Sequence, residues 1–443
     1  MSNPLTARIA EQHASAVRAL SARLAGGARR SAAMEALAAT GLPGSRDENW
    51  KYANLRPLER QSFTPAALTL ADEGALARIA ADLPARLVGF VRCVFVDGVF
   101  APALSDALGA TSARVTLLAA RADSPEAPPA ASVPRRELGV DQRFALLNEA
   151  FATDGAGITV SAGAEAARLE LIFVASAEGQ LGASYPRVEL RLEAGGRLVL
   201  VERHVSAGAA ASFVASAVSA ELARGAALDH YRLQELGSRA ILFDTLTATL
   251  AQDASYRLHA LGSGAAAARS TLGVRLIGER AGLVLSVAAL GDRQQVQDTY
   301  ALVEHLAPCA RTEETFRGIS AGRARVAFNG KIVVARDAHG TDSRQSLRGL
   351  LAGPQAEIDV RPQLEIYTDD VRCSHGATAG KLDDNMLFYL LSRGLERDTA
   401  LRALKWAFLE DVIATIEVPL LRRQIEERLA GQMQDGAALR ELI

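Results

Sequence analysis

Cysteine is scarce. Cys93, Cys309 and Cys373 are the only three in 443 residues, too few and too scattered for a disulfide framework, so a reducing, cytoplasmic compartment is expected. Long apolar runs are missing too. None approaches the roughly 18 residues that span a bilayer, and the opening MSNPLTARIAEQHASAVRAL has no apolar signal-peptide core. Its Ala- and Arg-rich composition imitates an organelle transit peptide, but Glu11, Glu35 and the helical spacing argue against one. Charge of one sign is absent as well: 49 Lys and Arg against 51 Asp and Glu leave a net charge of −2. No basic field attracts nucleic acid or an acidic membrane. There is no strict internal repeat, which taken alone weakens a solenoid reading.

The length admits two or three domains, or one elongated body with end domains. Leu5, Ile9, Val17, Leu20 and Leu24 form a helical stripe that Gly26-Gly27 interrupts, and a second helix is expected over 31–39. The loop Gly41-Leu42-Pro43-Gly44 leads into Trp50 and Tyr52, an aromatic pair that reads as an anchor of loop to body. Residues 92–100 read as a hairpin around Asp97-Gly98, and 119–134 as an Ala/Pro/Ser-rich connector. Asp141 is the N-cap candidate for a helix carrying Phe144, Leu147 and Phe151, closed by Gly155.

After Gly157 the period changes to two. Val188, Leu190 and Leu192 alternate with Glu189, Arg191 and Glu193, and similar short runs recur as far as Val334. About two hundred residues of short strands without a long helix describe an all-β body, and sandwich, barrel and solenoid all satisfy that pattern. From Asp383 the period is helical again. Leu387, Leu390 and Leu391 mark one helix, while Leu401, Leu404, Phe408, Val412 and Ile416 mark a longer one capped by Asp398. After Pro419, Leu421, Ile425 and Leu429 continue in a last charged helix. These stripes must be buried on the chain's own body or on a partner.

The chemistry gathers in 362–394. Leu364 and Ile366 fall at even positions, whereas Val371, Cys373 and His375 fall at odd ones. One straight strand cannot bury both sets, so a corner is required at Asp369-Asp370. If 372–375 is extended, Cys373 and His375 share a face about 7 Å apart. Thiolate and imidazole suit iron, zinc or copper, but a closed site takes about four ligands and nothing nearby supplies the rest. Either another surface completes the set, or the pair is a packed Cys beside a His that hydrogen-bonds its own turn.

Three motifs imitate chemistry without its context. Gly318-Ile319-Ser320-Ala321-Gly322 matches G-x-S-x-G, yet strand, turn and strand surround it rather than strand and helix. Gly262-Ser263-Gly264 with Ala267 leaves no room for the helix of a dinucleotide fold. In Gly376-Ala377-Thr378-Ala379-Gly380-Lys381 the glycines are too close together, and Leu382 replaces the magnesium-binding hydroxyl of a P-loop. No ATP hydrolysis is expected of this chain.

The run PQLEIYTDDVRCSHGATAGKLDDNMLFYLLSRG resembles the C-terminal signature of the SufB/SufD family, the non-ATPase subunits of the Suf iron–sulfur cluster assembly complex. Phe316-Arg317-Gly318-Ile319, Phe328-Asn329-Gly330-Lys331-Ile332, Thr341-Asp342 and Glu48-Asn49-Trp50-Lys51-Tyr52 extend the likeness over most of the chain. Where SufB-type members carry a sulfur-accepting cysteine, Leu350-Leu351-Ala352 has no thiol, and Cys373-Ser374-His375-Gly376 has the SufD form. The resemblance implies a mainly β fold: a right-handed parallel β-helix over 156–382, a helical domain with a small hairpin and connector over 1–155, and a helical domain over 383–443. It implies a scaffold rather than an enzyme, pairing with SufB through the β-helix or with a second copy when isolated. The SufC ATPase would dock on Leu401, Leu404, Phe408, Val412 and Ile416. Cys373 and His375 would be metal or cluster ligands at the interface, with iron or a cluster present only transiently in the complex and flavin binding left open. Cys93 and Cys309 are expected as small buried hydrophobes. The competing expectation is a stand-alone β-helix hydrolase or lyase using Asp369, Asp370 and His375.

Overall fold

The computed structural model describes residues 27–44, 47–65, 73–121, 139–163, 165–176, 181–209 and 211–433. The stripe from Leu5 to Leu24 and the connector beyond residue 121 lie outside the described residues. From Ala156 onward the short apolar runs become strands that go by turns to two sheets. Ile241–Leu250 pairs in parallel with Ala267–Leu276, and Ser255–Gly262, in the other sheet, with Gly282–Gly291. Continued to Val371–Lys381, this alternation makes a two-sheet parallel β-solenoid of about seven turns with helices at both ends.

Period two builds the lumen, because alternate side chains point inward and stack on their counterparts in adjacent coils. Leu246 stands beside Leu272 and Leu272 beside Ala301, all buried. One corner also repeats. Gly195, Gly225, Asp253, Arg280, Cys309 and Gly340 all take positive φ, between 57° and 73°. In each, the backbone N–H donates to a carbonyl one coil further on, ending with Gly340 on Asp370. Cys309 therefore is not the small buried hydrophobe expected from sequence: it sits exposed in this left-handed turn column. Cys93 is fully buried, and burial pushes its thiol up to about 12.

The N-terminal region is less purely helical than its sequence implies. The hairpin Val91–Val96 and Val99–Phe100 forms, with Asp97 and Gly98 at positive φ, but its first strand joins the solenoid beside Ala167–Ala175. Arg114–Leu117 caps the other sheet, antiparallel to Ala156–Val160. Helices Gly27–Thr40 and Arg143–Phe151 cover the outer face of that sheet. There Trp50 is buried, with its ring 5.3 Å from Phe144 and the Arg269 guanidinium 4.7 Å above it. Its indole N–H donates to Asp141, 2.7 Å away. Trp50 is thus an anchor, and Asp141 holds both it and the Arg143 backbone amide.

Helices Arg397–Ile413 and Pro419–Gln432 cover the outer face of the second sheet. Val412 and Ile416, expected on an ATPase-docking stripe, are buried there against the chain's own strands with Trp406 and Leu409. The periodicity was correct, but the sheet beneath had uncovered apolar residues such as Val201, Leu233 and Ile319 that this helix must cover. Leu401, Leu404 and Phe408 are half-buried. Among described residues, no helix is long and apolar enough to cross a membrane.

Candidate site at the open end of the solenoid

The solenoid is covered at its first coil and open at its last. Glu357–Ile366 and Val371–Lys381 end the two sheets, each with a strand neighbour on one side only among the described residues. The corner required by the phase change lies between them: at 367–370 the chain leaves one sheet for the other, which lets Leu364 and Cys373 both face the lumen and pack on its core.

Cys373 and His375 lie on the final strand in register with Ser343 and Gln345, and one coil deeper with Thr312 and Glu314. Cys373 is half-buried and His375 exposed. Burial, together with the negative charge of Asp342, raises the Cys373 thiol, while a hydrogen bond with the Ser343 backbone acts the other way. A metal ion taking this sulfur must displace a proton. Among described residues, no three His, Cys, Asp or Glu side chains converge as metal ligands. The chain presents two ligands side by side and no closed set.

Below the pair is a polar floor that the sequence did not reveal as such. Gln345 Nε2 donates to Glu314 Oε2 at 2.9 Å and to the Gly330 carbonyl at 3.1 Å. A side chain at Gly330 would collide with the Glu314 carboxylate, so glycine there makes room for this pair. Phe316 and Phe328 stack 4.7 Å apart beside it, and Gly318 leaves space for the Phe316 ring. Full burial raises the Glu314 carboxyl to about 7. Two of the motifs quoted for the family resemblance, Phe316-Arg317-Gly318 and Phe328-Asn329-Gly330, are thereby accounted for as floor builders.

A second buried polar cluster lies deeper in the lumen. Arg232 bridges Glu202 at 2.8 Å and Asp244 at 3.0 Å, with His204 and His230 also on Glu202. Arg232 and its neighbours hold Glu202 well below the usual range despite its burial, and burial lowers His230. Sequence reading missed this group because its members are spread over three strands.

The imitative motifs resolve as structure. Ser320 is fully buried and donates to the Ala324 carbonyl at 2.8 Å. Residues 263–266 form the turn between two strands, and 376–381 are extended strand. Asp369 and Asp370 are exposed at the corner. About 13 Å of extended chain from Val371 to His375 separates them from the imidazole, well beyond hydrogen-bond reach. The geometry does not assemble the hydrolase or lyase triad.

The sequence that builds this parallel solenoid matches a known class of protein. The family model for the SUF system FeS cluster assembly SufBD core domain covers residues 173–408. The chain is 31% identical over 408 residues to the iron–sulfur cluster assembly protein SufD of Escherichia coli K12, covering 91% of this chain and 92% of that one. A SufBD family protein of Synechocystis is 25% identical over 90% of this chain and 89% of its own length. Protein ABCI7, chloroplastic, of Arabidopsis thaliana is 27% identical over 57% and 54%. The chain belongs to the SufBD family of iron–sulfur cluster assembly proteins. Within that family it is SufD-like.

Proposed function

We propose that this chain is a non-catalytic scaffold subunit in which the open end of the solenoid pairs with the matching end of a SufB-type subunit. The observation that carries this is the pair of terminal strands, ten and eleven residues long, with an edge that no other strand among the described residues covers. Long uncovered edges template strand pairing, and soluble proteins rarely leave them flat and unprotected. Cys373 and His375 lie on that edge, so a second polypeptide closing over it would complete their ligand set. Iron or a nascent cluster is then a cargo passing through the joint, and two copies of the isolated chain pair through the same edge. The work is done in the cytoplasm.

ATP hydrolysis belongs to a separate SufC-type ATPase docked on the C-terminal helices. With Val412 and Ile416 buried, the docking surface shifts to Leu401, Leu404 and Phe408 together with helix Asp384–Ser392. That helix exposes Met386, Phe388 and Tyr389, three large apolar side chains on nine residues.

Ala377→Arg tests the edge. Ala377 is exposed in the chain by itself, so the variant folds normally and fails to co-purify with a tagged SufB-type subunit. Co-purification at the wild-type level would overturn edge pairing.

A further inference from the structure

Three buried polar atoms under the Cys373–His375 pair have no hydrogen-bond partner among the described residues: Ser343 Oγ, Gln345 Oε1 and Glu314 Oε1. Such atoms are costly to bury. Their placement is not scattered. Ser343 is the inward neighbour of Cys373, Gln345 that of His375, and Glu314 that of Gln345, and all three side chains are at least nine-tenths buried. Gly330 keeps the opposite wall free of a side chain where Glu314 and Gln345 meet it.

We infer that the mouth of the lumen is a cation-receiving cup, in which a divalent metal ion between Cys373 and His375 meets Gln345 Oε1 and Ser343 Oγ from below. The Glu314 carboxyl lies one coil deeper and holds the Gln345 amide. This deepens the proposed function and rests on its reading of Cys373 and His375 as ligands. A mixed set of sulfur, imidazole nitrogen and neutral oxygens suits a borderline ion such as Fe(II) better than Mg(II) or Ca(II). Cys373 ligates as thiolate, its proton leaving to water through the exposed mouth. Gln345 is a ligand held in place: its Nε2 donates to Glu314 and to the Gly330 carbonyl, which leaves the unpartnered Oε1 for the metal. Because the cup supplies oxygens of its own, the chain without any partner binds metal weakly.

Anaerobic titration of the full-length chain with Co(II) tests this, reading the thiolate-to-cobalt charge-transfer band and the d–d bands, with circular dichroism and thermal melting to confirm folding. Wild type binds one Co(II), Cys373→Ser removes the charge-transfer band, and His375→Ala shifts the d–d bands. Gln345→Leu, which removes an oxygen ligand, and Glu314→Gln, which changes the group that holds that ligand, keep the charge-transfer band but weaken binding by about tenfold or more. Glu314→Gln carries the test should Gln345→Leu not fold. Unchanged affinity in both, with binding lost in Cys373→Ser and His375→Ala, overturns the cup and leaves the ligand pair standing. A spectrum indifferent to Cys373→Ser and His375→Ala removes the ligand pair and the cup with it. A wild-type chain that binds no Co(II) overturns the cup alone, since pairing is tested separately by Ala377→Arg.

Discussion

Glu314→Gln should make the protein more stable above neutral pH. Glu314 is fully buried, its Oε1 has no partner, and its single side-chain hydrogen bond comes from a neutral amide. Burial therefore raises its carboxyl from 4.5 to about 7. Below pH 4.5 native and unfolded chains both hold the proton, and the native state has its full stability. Between 4.5 and 7 the unfolded chain releases the proton while the native chain keeps it, so stability falls as pH rises and levels off above about 7. The interval corresponds to about 3 kcal/mol at 1.36 kcal/mol per pH unit. Gln has the same shape and nothing to ionise. The variant should match wild type near pH 4.5 and exceed it by up to about 3 kcal/mol at pH 8. Urea unfolding of both proteins from pH 5 to 8.5 gives the difference curve, in which titrations common to both proteins cancel. Parallel curves would refute the reasoning. If the cup also holds, the same variant is more stable and binds metal less well, a stability–function trade-off.

Arg232→Met leaves the buried carboxylates of Glu202 and Asp244 without their shared cation. A loss of about 3–5 kcal/mol in urea unfolding is expected, and a wild-type midpoint would show that the bridge carries little. Phe388→Asp changes a side chain that is 72% exposed. Melting temperature should be unchanged while pull-down of a SufC-type ATPase is lost; retained binding would move the docking surface elsewhere. Deleting everything after Gly394 is a poorer test, because it would strip Trp406, Leu409 and Val412 from the sheet they cover.

Strand-by-strand alternation made the β body legible, and the odd–even switch at Asp369-Asp370 located the corner before the final strand. The solenoid itself was not readable from residue pattern. Successive coils run from 26 residues, Ile241 to Ala267, to 32 residues, Arg325 to Glu357, so no fixed repeat exists. The repeating corner is equally hidden, since Gly, Asp, Arg and Cys all occupy its positive-φ position. Only the family resemblance selected the solenoid from the three all-β alternatives. For the site, Cys373 and His375 stood out by spacing, but Glu314 and Gln345 did not. In Arg311–Ala321, the run Thr312-Glu313-Glu314-Thr315 looks like solvated sequence, and only the register shows Glu314 pointing into the lumen beneath Gln345. Helical periodicity found the stripe on Arg397–Ile413 but could not tell which of its residues the chain itself would cover.

The most direct measurement is anaerobic co-purification of this chain with SufB- and SufC-type subunits, followed by iron and sulfide analysis of wild type and His375→Ala. The same complex is expected from both, with iron and sulfide markedly depleted when His375 is lost. An intact complex carrying wild-type iron and sulfide without that imidazole would contradict it.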